Sequence, residues 1–290
     1  MHARPSIAPR NIRTIFISDC HLGCKYAQAQ SLLAFLERHQ PQFLYLVGDV
    51  IDGWRLKRAW HWNPVYNRIL RRLHELAVGG TQLCYAPGNH DAFLRNFLAD
   101  FGLLRIADEF VHLGADGRRH LILHGDQFDN IEIRSQWLSI VGAFAYDMLV
   151  AGNGLVNRLR RACGFIDWPF SVALKRCVKQ VVTFVSNFER RLAQYAMDRG
   201  CDVVVCGHVH TPGLHDEYGI TYGNTGDWVE NRSALVEYDD GTLEIVHLTE
   251  DGREATDPRH PPQISFARPA EMTAAAAVPQ SSAQTVELIK

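Results

Sequence analysis

The chain has 290 residues, 47% apolar and 21% charged, which suffices for the core of one large domain or of one domain with an inserted lobe. A formal net charge of −2 excludes whole-surface attraction to nucleic acid, and no nucleic-acid partner is expected. Seven cysteines without a CxxC pair argue against a disulfide framework and read as reduced thiols of a cytoplasmic protein.

Met1 to Asn11 carries basic residues but no apolar stretch of signal-peptide length, and no segment reaches the roughly 18 apolar residues a spanning helix needs. Thr14-Ile15-Phe16-Ile17 predicts a first strand leading into Asp19-Cys20-His21. Cys20 alternates with the residues on either side of it, so its side chain is expected to turn away from them into packing. Gln30 to His39 places Leu32, Leu33 and Leu36 on one helical face. Phe43 to Val47 predicts a second strand running into Gly48-Asp49-Val50-Ile51-Asp52. A second helix follows over Val65 to Val78, with Val65, Ile69, Leu73 and Leu76 at three- and four-residue spacing. Gln82 to Tyr85 is a third strand, ahead of Gly88-Asn89-His90-Asp91.

Val111 to Leu113 and His120 to Leu123 flank a turn at Asp116-Gly117, a hairpin that ends in His124-Gly125-Asp126. Residues 130–199 then break the rhythm as a helical insertion lobe, with a break near Cys163 to Pro169. This lobe has ten Lys and Arg against five Asp and Glu, a local excess that suits an anionic substrate or surface, or simply a solvated helical face. Val203 to Cys206 is the next strand, before Gly207-His208-Val209-His210. Ser233 to Tyr238 and Thr242 to His247 form a last hairpin. From Asp251 the chain turns to Pro, Ala, Ser and Gln, which predicts a disordered tail over 251–290.

Strand–helix–strand alternation, with strands apolar on both faces, predicts a layered α/β fold. In such folds ligands bind beyond the carboxyl ends of the strands, and all five polar blocks fall there. Oxygen and imidazole donors without thiolate suit two divalent ions, with Mn the first choice and Fe or Zn the others. Two ions about 3.5–4 Å apart need a bridging oxygen, for which Asp49 is the candidate. Asp19, His21 and His210 would complete one ion, and Asn89, His124 and His208 the other. His90 stands beside Asn89, placed to bond a phosphoryl oxygen or protonate a leaving group. Asp52 and Asp91 either orient ligand histidines or cap the helices that follow them. Asp227-Trp228, after Asn224-Thr225-Gly226, either approaches the site or forms a plain turn.

At these residues the chain resembles the calcineurin-like metallophosphoesterase superfamily, whose pattern DxH, GDxxD, GNH(D/E), a mid-chain His and GHxH is met from Asp19 to His210. The resemblance implies a four-layer α/β/β/α sandwich, with a metallophosphoesterase domain over 12–250 and the helical lobe inserted. Asp52-Gly53-Trp54 and Gly88-Asn89-His90-Asp91 depart from the GDxxDRG and GNHE of protein Ser/Thr phosphatases. The helical insertion, His124-Gly125-Asp126 and Asn224 to Glu230 are more similar to UDP-2,3-diacylglucosamine pyrophosphatases of lipid A biosynthesis.

That resemblance implies cleavage of a nucleotide-linked acylated sugar to lipid X and UMP. It also implies a lobe that receives acyl chains, with Lys175 and Lys179 as contacts to anionic groups of the substrate. A cytoplasmic protein in peripheral contact with the inner membrane follows from such a substrate. Those enzymes read GNRD where this chain has His90, so the histidine separates the reaction from the substrate. The alternatives are a general phosphodiesterase or phosphomonoesterase acting on another small phosphorylated molecule, and a metal-bound lipid-docking scaffold.

Overall fold

Thirteen strands build two sheets in the computed structural model, which describes residues 11–128, 185–249, 251, 253 and 287–288. In chain order they are β1 (Ile12–Ile17), β2 (Phe43–Leu46), β3 (Gln82–Tyr85), β4 (Ala99–Asp100), β5 (Leu104–Ile106), β6 (Glu109–Leu113) and β7 (Arg119–Leu123). There follow β8 (Val203–Cys206), β9 (Gly213–Glu217), β10 (Ile220–Asn224), β11 (Ser233–Tyr238), β12 (Leu243–His247) and β13 (Glu287–Leu288). The helices are α1 (Ala29–Arg38), α2 (Gly53–Arg58), α3 (Pro64–Val78) and α4 (185–198).

The first sheet has the order β12-β11-β1-β2-β3-β5-β4 and the second β13-β6-β7-β8-β10-β9. At the centre of the first, β1, β2, β3 and β5 run parallel. In the second, β7, β8 and β10 do the same. The predicted hairpins are the antiparallel pairs β6–β7 and β11–β12. Within each sheet, the parallel strands carry their polar blocks to one end.

Strand alternation divides the core in two. Ile15, Ile17, Leu44, Leu46, Leu83 and Tyr85 face α1 and α3, whereas Phe16, Phe43, Tyr45 and Val47 meet Phe110, Ile122, Val203 and Val205 of the second sheet. Cys20 lies in the helix-side core, as alternation predicted. The sequence of α3 explains its start: Asn63 accepts from the Val65 amide at 3.0 Å and Pro64 occupies the first turn. Its buried face is Tyr66, Ile69, Leu73 and Leu76. On the outer face of the second sheet, Ala193 and Ala196 of α4 are buried, and the Tyr195 hydroxyl and Arg199 guanidinium bond Glu109 at 2.8 and 2.9 Å. The layers are therefore α/β/β/α, the fold class expected.

Contacts divide the chain into two units, Met1–Asp126 with Ala193–Lys290, and Gln127–Leu192. The first holds both sheets and every residue of the candidate site described below. Of the second, 127–128 and the helical residues 185–192 are described. Most of the lobe expected over 130–199, with Lys175 and Lys179, lies outside the described residues. So does most of the 251–290 tail, although β13 within it pairs with Phe110 and Val111. Among the described residues, no helix is long and apolar enough to cross a membrane.

Candidate metal centre

Backbone conformation marks the site before any side chain is considered. Asp19, His21, Asp49, His208 and His210 all have positive φ, between 46° and 70°. Left-handed backbone is unfavourable for residues bearing a Cβ, and the surrounding structure must impose it. Glycines make the close approach possible. A Cβ on Gly88 would press on Asp49 Oδ1 and stand 2.7 Å from His124 Nε2. One on Gly207 would lie 2.5 Å from Asp19 Oδ2.

The two buried carboxylates are held in the same way. Asp19 Oδ2 accepts from the Ser18 hydroxyl and, at 2.9 Å, from the His208 amide. Its Oδ1 lies 3.0 Å from His210 Nε2 and 3.8 Å from His21 Nε2. Asp49 Oδ1 accepts from the His90 amide at 2.7 Å, and its Oδ2 is 3.5 Å from His124 Nε2. In each case one oxygen is tied to backbone and the other faces imidazoles. His124 is oriented likewise, since its Nδ1 donates to the Val47 carbonyl at 2.8 Å and leaves Nε2 pointing inward. Nε2 of His21 and of His210 stand 3.4 Å apart, and the rings of His124 and His208 are 5.1 Å apart.

Potential ligand atoms converge in three overlapping groups: Asp19, His21 and His210; Asp19, Asp49 and His124; and His21, Asp49 and His90. Asn89 Oδ1 and His124 Nε2 are buried without a hydrogen bond, and Asp19 Oδ1 has only its ion-pair contact with His210, a costly arrangement unless something else satisfies them. Neutral imidazole, amide and carboxylate donors converging around such orphaned atoms fit divalent cations. Of the two sets expected from sequence, Asp19, His21 and His210 come together as one group, whereas His124 groups with Asp19 and Asp49, and His90 joins His21 and Asp49.

Burial opposes ionisation of Asp19, yet the facing His210, with His124 and His21, holds its carboxyl well below the usual range. Asp49 is lowered likewise against burial by His124, with Asp19 acting the other way. Burial would push His124 down, but Asp49 raises it to about 10. In the same balance Asp19 raises His210 to about 9.

Asp52 caps a helix and contacts two histidines. Its Oδ1 caps α2 by accepting from the Arg55 amide at 3.0 Å and also accepts from His90 Nδ1 at 3.0 Å. Its Oδ2 stands 3.6 Å from His21 Nδ1. Burial works against its ionisation, and the two histidines overcome it, holding the carboxyl well below its usual range. Asp91 does neither of the things expected. It makes no side-chain cap and instead accepts from the Val50 amide at 2.8 Å, the Gly88 amide at 2.6 Å and the Tyr85 hydroxyl. It thereby joins the loops that carry Asp49 and Asn89. Burial raises its carboxyl, and the charge of Asp49 adds to that.

Several residues support the ligands from outside the five blocks. Asp227 is both part of a turn and a buttress: its Oδ1 accepts from the Val229 and Glu230 amides at 2.7 and 2.6 Å, and its Oδ2 from the Asn231 amide group. Asn231 in turn donates to the His210 carbonyl at 2.8 Å. The Trp228 amide donates to the Asp19 carbonyl at 3.1 Å. Ser18 shares a hydrogen bond with Thr225. The signal for Asp227 was present, a polar block after an apolar strand, but nothing local marks Ser18 or Asn231.

A two-sheet sandwich with Asp, Asn and His clustered beyond its parallel strands defines a class, the metal-dependent phosphoesterases. The family model for calcineurin-like phosphoesterases matches residues 12–212, and the chain belongs to that family. It is a phosphoesterase, and enzymes of this family use a dimetal centre. The chain is 28% identical over 235 residues to a UDP-2,3-diacylglucosamine hydrolase of Aeromonas salmonicida, covering 77% of this chain and 89% of that one. It is 27% identical over 217 residues to the protein of that name in Cellvibrio japonicus, covering 70% and 84%. Among solved structures, it is similar to Yfce, a phosphoesterase from E. coli, at 15% identity and a TM-score of 0.42, over 80% of this chain and 91% of that one.

Proposed function

We propose that this phosphoesterase hydrolyses the pyrophosphate of UDP-2,3-diacylglucosamine, giving UMP and lipid X. The observation that carries the reaction is the convergence of buried, unbonded donor atoms on two carboxylates whose other oxygens are fixed by backbone amides. Support for the substrate comes from the relatives bearing that name over most of their length.

In this reading Asp19, His21, Asp49 and His210 would hold one ion and Asp49, Asn89, His124 and His208 the other, with Mn as the metal. When bound, the two ions would screen the phosphate charge and lower the pKa of water. His124 keeps its ligand nitrogen aimed inward through the Val47 carbonyl. Asp52 anchors His90 at Nδ1, which leaves Nε2, 3.9 Å from Asp49 Oδ2, as the atom that passes a proton to the leaving oxygen. Lys175 and Lys179 carry over as proposed contacts to anionic substrate groups. Contact with the inner face of the inner membrane belongs to the same reading, as does a catalytic domain over 12–250.

The test is release of UMP from UDP-2,3-diacylglucosamine by the Mn-loaded protein. No turnover, alongside rapid hydrolysis of bis-p-nitrophenyl phosphate, would sink the substrate assignment in favour of a general phosphodiesterase. One observation favours that second reading: His90 replaces the Arg of the GNRD pattern and is already paired with Asp52. His90→Ala should lower kcat by about 10²- to 10⁴-fold, the usual contribution of a positioned acid, with two metals still bound by elemental analysis. Unchanged kcat would remove His90 from the proton-transfer role.

A further inference from the structure

We propose that Trp54 is a positioning residue for His90, its indole fixing the imidazole with Nε2 directed at the carboxylate cluster; this rests on the proposed role of His90 as acid. The Gly53 amide donates to the His90 carbonyl at 3.1 Å, and a Cβ on Gly53 would stand 2.8 Å from that oxygen. Only a glycine lets α2 begin in such close contact with the loop carrying His90. The helix then places its second residue, Trp54, over the imidazole, with ring centroids 4.3 Å apart and planes inclined at 29°.

His90 is consequently constrained on three sides. Asp52 Oδ1 takes the Nδ1 proton at 3.0 Å, Trp54 covers one face, and His21 meets the ring at 4.7 Å and 83°. A single hydrogen bond at Nδ1 leaves the ring able to swing about that contact. Stacking removes this freedom, because offset-stacked aromatic rings resist separation and tilt. Trp54 is 39% exposed and the His90 side chain beneath it 23%. Cap, glycine and aromatic occur consecutively as Asp52-Gly53-Trp54, and each acts on the same histidine.

The experiment uses the full-length protein with Trp54→Ala and Trp54→Phe, each alone and combined with His90→Ala. In the metal-free protein, the His90 Hε1–Cε1 NMR signal should move when Trp54→Ala removes the indole ring current, and Trp54→Phe should retain part of the shift. In the Mn-loaded protein acting on bis-p-nitrophenyl phosphate, Trp54→Ala should lower kcat roughly tenfold, as expected for a displaced catalytic group. KM should stay within about twofold, and Trp54→Phe should recover much of the rate. In the His90→Ala background, Trp54→Ala should have no further effect on kcat.

A His90 signal unmoved by Trp54→Ala would overturn the inference. So would a rise in KM with kcat unchanged, which would make Trp54 a substrate contact, or an equal fall in kcat with and without His90. If His90→Ala alone leaves kcat unchanged, the acid role fails and the inference with it. That outcome is distinct from the other three, which leave the acid role standing.

Discussion

Asp19, His21, Asp49, His208 and His210 hold left-handed backbone, each at a cost of order 1–3 kcal/mol. Hydrogen bonds from distant segments maintain this geometry, the Asn231 side chain holding the His210 carbonyl and the His208 amide holding Asp19. The electrostatics follow from that arrangement. His124 and His210, raised to about 10 and about 9 by Asp49 and Asp19 against the opposing effect of burial, carry protons at neutral pH where cations would otherwise sit. Metal ligation needs those imidazoles neutral. Loading the metal-free protein at pH 7.5 should therefore release about two protons, seen by calorimetry in buffers of different ionisation enthalpy. Apparent affinity should climb with pH until both histidines have titrated. Binding without proton release would show that the imidazoles are neutral in the empty site.

The elements divide by how they were encoded. β1, β2, β3, β7 and β8 were legible because each is a run of apolar residues buried on both faces, and α1 and α3 because their apolar stripes persist for ten and fifteen residues. β4 and β5, of two and three residues, are too short to show a period. β9 carries no apolar run, and its order comes from pairing with β10. The six residues of α2 span less than two turns. Candidate ligands were readable for a related reason: each falls within a compact block at a strand end. Their supports are contributed by segments far apart in sequence, as with Asn231 and His210 or Ser18 and Thr225. The loop after β10 offers a direct check. Asn231→Ala removes the bond to the His210 carbonyl and leaves Asp227 Oδ2 without its side-chain partner. It should lower affinity for one of the two metals roughly tenfold or more, the scale of residues that orient ligands. Affinity for the other should hold, as followed by stepwise Mn titration with EPR detection. Equal weakening of both would place the effect in general loosening of the fold.

Across the first unit, the space between the sheets is polar at two places and apolar between them. One is the ligand cluster beyond the strand ends. The other lies toward the start of β1, where Glu237 accepts from the Thr14 hydroxyl at 2.5 Å, Arg13 Nη1 at 3.0 Å and the Ala115 amide at 2.7 Å, and meets His112 Nε2 at 3.0 Å. Next to His112, with rings 5.5 Å apart, His120 is buried with neither nitrogen bonded. Burial, helped by the charge of His112, pushes His120 from 6.5 down to about 3. Glu237 goes from 4.5 down to about 2, because the hydrogen bond and charge of His112 and the bond from Thr14 outweigh burial. For both groups the unfolded chain takes up a proton at a higher pH than the folded protein does. Stability is highest above the unfolded pKa of each group and is lost as pH falls toward the folded one, by up to about 1.4 kcal/mol per pH unit for each group. For His120 that window runs from 6.5 to about 3. The metal site also titrates in acid, so wild type alone cannot separate the contributions. His120→Leu can, because it removes an unbonded buried imidazole and leaves the ligand cluster in place. Denaturant midpoints at pH 7, 5 and 4 should show the variant at least as stable as wild type at pH 7 and increasingly more stable below pH 6. Parallel decline of the two proteins would mean that His120 finds a partner in the folded state and contributes nothing to acid sensitivity.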